Sequence, residues 1–134
     1  MTIRTFKDLK VWSNAMDLAM EVFRRSKAFP PEERYSLTTQ LRRATRSVAG
    51  IVAEAWRKRR YPASFVAKLT DAEAEAAEAQ TWIELARRCG YWTDATAEEL
   101  DPRCDLVLRQ LSHMSSHPEQ WCDVLRPARP RIPA

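Results

Sequence analysis

Residues 37–60, LTTQLRRATRSVAGIVAEAWRKRR, restrict the possible folds more than any other stretch. The apolar residues Leu37, Leu41, Ala44, Val48, Ile51 and Ala55 step four, three, four, three, four, which is a seven-residue repeat. Such a repeat keeps one apolar stripe on one face of a helix, the seam along which it packs lengthwise against other helices. The opposite side carries Arg42, Arg43, Arg46 and Arg57. Between those arginines, Ala49, Gly50 and Ala53 leave a strip with almost no side chain. Outer helix positions favour long polar side chains, so a bare strip is what close approach by another backbone requires. The expectation is a helical protein that binds copies of itself, with an anion as a second candidate partner.

The rest of the chain supplies the other helices. Phe6, Leu9, Trp12, Met16, Ala19 and Phe23 step three, three, four, three, four and predict a first amphipathic helix over about 8–27. Arg24, Arg25 and Lys27 complement its negative C-terminal dipole. Pro30-Pro31 ends it, Phe29 turns into the core, and Pro31, Glu32 and Glu33 suit a new first turn. The second helix, from Glu32 or Ser36 to Arg59, is roughly 35 Å long at about 1.5 Å per residue. Gly50 within it costs about 1 kcal/mol against alanine, a cost that close packing would offset. After Tyr61-Pro62, Phe65, Leu69, Ala72, Ala76, Ala79, Ile83 and Ala86 form the cleanest seam, a third helix over 63–88 with Gly90 as its terminator. Thr93 or Asp94 caps a short turn through Leu100. Asp101-Pro102 then reads as a fresh helix start, with the seam Cys104, Val107, Leu111 and Met114 reaching about Ser116. Pro118 closes it, and Trp121 docks back on the body.

Two glycines in 134 residues exclude a turn-rich β fold. Four helices on short connections predict an all-α, up-and-down antiparallel four-helix bundle over residues 1–125, oligomerising into a ring. A pair of long hairpins that completes its core only on oligomerisation is the alternative. Residues 126–134, RPARPRIPA, hold too little apolar content to fold and predict a disordered basic tail.

The net charge of +4 conceals an asymmetry. Residues 1–62 hold 14 Lys or Arg against 6 acids, whereas residues 63–125 hold 5 against 12. A basic flank and an acidic flank allow neighbours to pair head to tail, a contact that closes into a ring when the rotation permits. No run approaches the roughly 18 apolar residues of a membrane span, and the start lacks a signal-peptide core, so the cytoplasm is the expected compartment. Cys89, Cys104 and Cys122 show no metal-type spacing, which predicts reduced thiols and no cofactor.

Each candidate site has a plain structural alternative. Arg42, Arg43, Arg46, Arg57, Lys58, Arg59 and Arg60 are the candidate nucleic-acid-binding strip. With no base-reading motif beside it, that strip would take RNA or DNA phosphates without regard to sequence. The alternative is a solvated face, with the run 57–60 capping a helix C-terminus. Ala49, Gly50 and Ala53 are the candidate oligomer interface, unless they meet a helix of the same bundle. His113 and His117, four apart, share one helical face, but Pro118 frays the helix there and no carboxylate stands in an E-x-x-H arrangement. A surface pair is expected. Asp71, Glu75 and Glu78 share another face without the histidines of a di-iron site. Glu54 is expected to pair with Arg57 or Lys58. The chain has no glycine-rich phosphate loop, no G-x-S-x-G and no cysteine with an activating base, so a non-enzymatic protein is expected.

Phe29-Pro30, Glu33, Tyr35, Leu37, Gln40-Leu41-Arg42-Arg43-Ala44, Ser47-Val48 and Ile51-Val52-Ala53-Glu54-Ala55 together resemble one family's signature. It is that of the bacterial four-helix bundle proteins encoded in intervening sequences of 23S ribosomal RNA genes. The accessory variability proteins of diversity-generating retroelements belong to the same family. Phe6, Asp8-Leu9, Val11-Trp12 and Ala15 match its opening and Gly90-Tyr91 the end of its third helix, so the likeness spans roughly 6–115. The family usually has proline, asparagine and glycine where this chain has Ala49, Ile51 and Ala55, and its Gly-Ser in helix three is replaced by an acidic, alanine-rich stretch. The resemblance implies a homopentamer around a central channel. For retroelement members it implies nucleic-acid binding through a basic surface and association with a reverse transcriptase.

Overall fold

The computed structural model describes residues 2–122, so the expected tail at 126–134 lies outside the described residues. Among the described residues, four long helices follow one another: α1 (Lys10–Arg25), α2 (Leu37–Arg57), α3 (Pro62–Arg88) and α4 (Asp94–Ser116). Helix α1 packs on α2 and α4, and α3 packs on the same two, so the helices stand in a square in chain order. Short connections make each neighbour antiparallel to the last. The all-α four-helix bundle is therefore present, and residues 2–122 form it.

Local chemistry sets the ends. Before α1, Thr5 and Asp8 form a reciprocal capping box around a single 3-10 turn, Phe6–Asp8. The Asp8 carboxylate accepts from the Arg4 and Thr5 amides at 2.8 and 3.1 Å. Pro62 occupies the first turn of α3, where its missing N–H is no loss. At the other end Gly90 adopts φ +77°, a left-handed conformation that closes the helix. The Gly90 amide donates to the Arg87 carbonyl at 3.0 Å and the Tyr91 amide to the Ala86 carbonyl at 2.9 Å. These two bonds make a Schellman motif, satisfying carbonyls that the helix end leaves open. The Thr93 hydroxyl caps α4 by accepting from the Thr96 amide at 3.2 Å.

The core fills in two blocks. One gathers Leu9, Val11, Val48, Val52, Phe65, Leu69 and Leu111, and the other Leu18, Val22, Leu41, Ile83 and Leu100. Each large side chain so buried contributes about 1.5–3 kcal/mol. Ala72, Ala76, Ala79 and Ala86 are fully buried on α3 and allow α2 and α4 to come close to it. Phe29 is buried against Trp92, with ring centroids 4.8 Å apart, and Trp121 packs on the first block, as its position predicted.

Two expectations need correction. Asp101-Pro102 does not begin a new helix: α4 runs unbroken from Asp94 to Ser116 with Pro102 inside it. Ala97, Leu100, Cys104, Val107, Leu111 and Met114 continue one seam across the proline, and their burial holds the helix through the lost hydrogen bond. In α1 the buried face is Val11, Ala15, Leu18 and Val22, whereas Trp12, Met16, Ala19 and Phe23 lie to one side. That helix carries two apolar stripes, and periodicity alone selected the one that the bundle buries only in part.

Candidate functional site

The partly buried stripe of α1 meets the bare strip of α2. Trp12, Met16, Ala19, Met20 and Phe23 form one wall of an open, almost wholly apolar groove of about 390 Å3. Ala49, Gly50 and Ala53 form the other, with Arg46 at one edge. Met16 and Met20 are 39% and 44% exposed, unusual for side chains of that kind. Ala49 is buried, Ala53 half-buried and Gly50 exposed, so the three form the groove's floor and lip, not an outer strip. A Cβ built on Gly50 meets nothing within 4 Å. The close packing expected to offset its helix-propensity cost is therefore not supplied by the described chain.

A second outward face is also poor in long side chains. Along α3, Ala63, Ala67, Thr70, Ala74, Ala77 and Thr81 are exposed at steps of four, three, four, three and four. Leu85 continues the row at 41% exposure. Helix α3 thus carries small residues both on the side that faces the bundle and on the side that faces away; beside the outer row stand exposed Asp71 and Arg88, and Glu84, which Arg87 and Arg88 bind.

Next to the apolar groove lies a cationic cleft of about 570 Å3 over the first half of α2. Arg34, Arg42, Arg43 and Arg46 line it with Tyr35, Thr38, Thr39 and Ser47. The arginines differ in freedom. Arg42 Nε donates to Ser26 Oγ at 2.8 Å, and its guanidinium lies 4.9 Å from the Phe23 ring centroid. Arg46 and Lys27 lie 5.8 and 4.8 Å from the same centroid, so three cations gather around one aromatic ring. Arg43 is engaged with α3: its two terminal nitrogens bind Glu75 and Glu78 at 3.2 and 2.6 Å. Hydrogen bonds to Glu75 and then Glu78 raise its pKa above the ordinary guanidinium value.

Arg57, Lys58, Arg59 and Arg60 do not join that cleft. They sit at the C-terminal end of α2, more than ten residues and roughly 16 Å along the helix from Arg46. Arg59 Nε donates to the Trp56 carbonyl at 2.9 Å, and its guanidinium stacks 3.4 Å from the Trp56 ring centroid. It caps the helix, the plain alternative for this run. Glu54 pairs with Lys68 of α3 at 2.8 Å instead of Arg57 or Lys58, because its position on α2 points it at the neighbouring helix.

The remaining candidates hold no chemistry of their own. Glu75 and Glu78 are taken by Arg43, and among the described residues no group of three His, Cys, Asp or Glu side chains is placed to hold a metal ion. The His113 and His117 rings stack 4.5 Å apart, and His117 Nδ1 turns to the His113 carbonyl at 3.0 Å. Sequence reasoning missed Arg34 and Tyr35 as cleft residues, since they precede α2 and belong to no helical face. It also missed the outer row of α3, although the alternation of both faces was visible in its alanine spacing.

Among the described residues, the all-α antiparallel bundle carries an apolar groove between α1 and α2 and a basic cleft beside it. The model of the 23S rRNA-intervening sequence protein family matches residues 7–113, and the chain belongs to that family. A crystal structure of a protein of unknown function from the S23 ribosomal protein family, from Bacteroides thetaiotaomicron VPI-5482, has a similar fold. Its TM-score is 0.72 at 21% sequence identity, over 79% of this chain and 95% of that one. No curated protein matches the chain. No helix among the described residues is long and apolar enough to cross a membrane.

Proposed function

We propose that the protein is a non-enzymatic scaffold that joins copies of itself head to tail into a ring. The groove between α1 and α2 takes the outer face of α3 from the next copy. The observation that carries this reading is Gly50, exposed in mid-helix at the lip of an apolar groove, where an added Cβ would meet no atom of the described residues within 4 Å. The outer row of α3 offers the complement: small side chains that allow close approach, with exposed Asp71 beside them to meet the basic α1–α2 flank. A contact between two unlike surfaces closes or propagates, and the family resemblance favours closure at five in the cytoplasm. Light scattering coupled to size-exclusion chromatography tests it. A mass near five chains, falling to one chain for Gly50→Leu and Ala53→Arg, is expected; an unchanged mass refutes the interface.

The cationic cleft supports a second element, binding of RNA or DNA through phosphates. Arg34, Arg42 and Arg46 have no ion-pair partner among the described residues, and no base-reading device accompanies them. Binding should therefore be insensitive to sequence and fall steeply with salt. A ring indifferent to a short structured RNA at low salt would leave a scaffold for protein partners alone.

A further inference from the structure

A different groove, of about 500 Å3, opens where the start of α1 meets the last turns of α4. Its floor is apolar, made by Ile3, Leu9, Val11, Met114 and Trp121. Its polar rim consists of Lys10, Arg109 and His113 with Asp8 and Gln110. One oxygen of the Asp8 carboxylate and the Gln110 side-chain oxygen are already engaged. Asp8 binds the Arg4 and Thr5 amides at 2.8 and 3.1 Å, and the Gln110 side-chain oxygen accepts from Asn14 at 3.1 Å. The cations are not: Lys10 and Arg109 have no ion pair among the described residues. Leu9 also gives the first turn of α1 no side-chain cap, and no acid stands in that turn. Two unpaired cations against one carboxylate leave the rim with a net positive charge around an apolar floor.

We propose that this groove binds a medium-chain acyl carboxylate, its chain on Leu9, Met114 and Trp121 and its head group between Lys10 and Arg109. A neutral apolar ligand would leave both cations unanswered, and a cationic one would meet charge of its own sign. Pockets of this volume suit a single small molecule. Assembly of the ring plays no part in the proposal.

The test is a titration of the full-length, 15N-labelled protein with decanoate below its micelle concentration. The Trp121 indole N–H signal, identified by its loss in Trp121→Phe, reports occupancy. Decanoate should shift that signal saturably, decanol at least tenfold more weakly. Arg109→Gln and Lys10→Gln should each weaken decanoate about tenfold, while Arg46→Gln, in the other groove, changes nothing. No shift at Trp121, equal binding of decanol, or unchanged decanoate affinity in both rim variants overturns the proposal.

Discussion

Gly50→Ala should act in opposite directions on the single chain and on the assembly. Alanine is favoured over glycine inside a helix by about 0.8–1.0 kcal/mol. At Gly50 nothing is subtracted from that gain, because the added Cβ meets no atom within 4 Å. A gain of about 1 kcal/mol in a domain of this size raises Tm by roughly 3–5 °C. Where a neighbouring helix lies across Gly50 and Ala53, the same methyl must push it outward and weaken association. The assay is thermal unfolding by circular dichroism in an Ala53→Arg background, which supplies dissociated chains, beside light scattering of Gly50→Ala alone. Separating the two states matters because association by itself raises Tm in a concentration-dependent way. A lower Tm in the dissociated background would mean that Gly50 serves its own bundle. A raised Tm with fully unchanged association, and Gly50→Leu equally without effect on mass, would mean that no copy sits there.

Three other perturbations probe the surface and the interior. Arg42→Gln and Arg46→Gln should weaken RNA binding and lower the salt slope by about one per lost phosphate contact. Arg43→Gln should do much less, since Glu75 and Glu78 already hold that guanidinium, and equal effects in a fluorescence-anisotropy titration would count against the cleft. Glu84, hydrogen-bonded by Arg87 and then Arg88, has its carboxyl held down at about 2. Its stabilising effect is complete above its unfolded value of about 4.3 and is lost only as pH falls through the folded one. The Glu84 carboxyl 13C shift should therefore stay flat down to about pH 3; a midpoint near the ordinary value would show that the arginine pair is not formed. Iodoacetamide at mildly alkaline pH should label exposed Cys89 while Cys104, buried and with its thiol pushed up to about 12, reacts only after unfolding. Prompt labelling of Cys104 in native protein, read by peptide mass, would contradict the packing of α4.

The helices were legible where one face had to be apolar and the other could not be. Helix α2 met that condition: Leu37, Leu41, Ala44, Val48 and Ala55 are all buried, and only Ile51 is half-exposed. Helix α1 did not, because Trp12, Met16 and Phe23 make an apolar stripe as convincing as Val11, Leu18 and Val22. Residue type cannot rank two such stripes; only the geometry of α2 and α4 does. Pro102 misled for a related reason. A proline breaks an isolated helix at a cost of about 3 kcal/mol, but Leu100, Cys104, Val107 and Leu111, all wholly buried on one line, outweigh it. The basic strip was legible as composition and not as a site. Spacing along α2 placed Arg43 beside Arg42 and Arg46, and nothing in it revealed that Glu75 and Glu78 of α3 would take up one of the three.

These departures share a physical cause, and it bears on function. A bundle of four helices needs one apolar stripe per helix, yet α1 and α3 each carry two. In α1 the surplus stripe forms one wall of the groove with α2, where Trp12 packs on the core and Phe23 meets three cations but Met16 and Met20 stay exposed; in α3 it is a row of exposed small side chains. Burying each against water-excluding surface elsewhere would recover stabilisation of about 25 cal/mol per Å2. The mid-helix glycine lies on the first of these surfaces and is unexplained by the described residues of its own bundle. Were the surplus stripes incidental, exposed methionines, exposed alanines and an unneeded glycine would have no reason to fall on two complementary faces. Contact between unlike faces accounts for all three with a single arrangement. In the proposed head-to-tail contact, the cleft of Arg34, Arg42 and Arg46, which shares Arg46 with the groove, would lie beside the neighbouring copy.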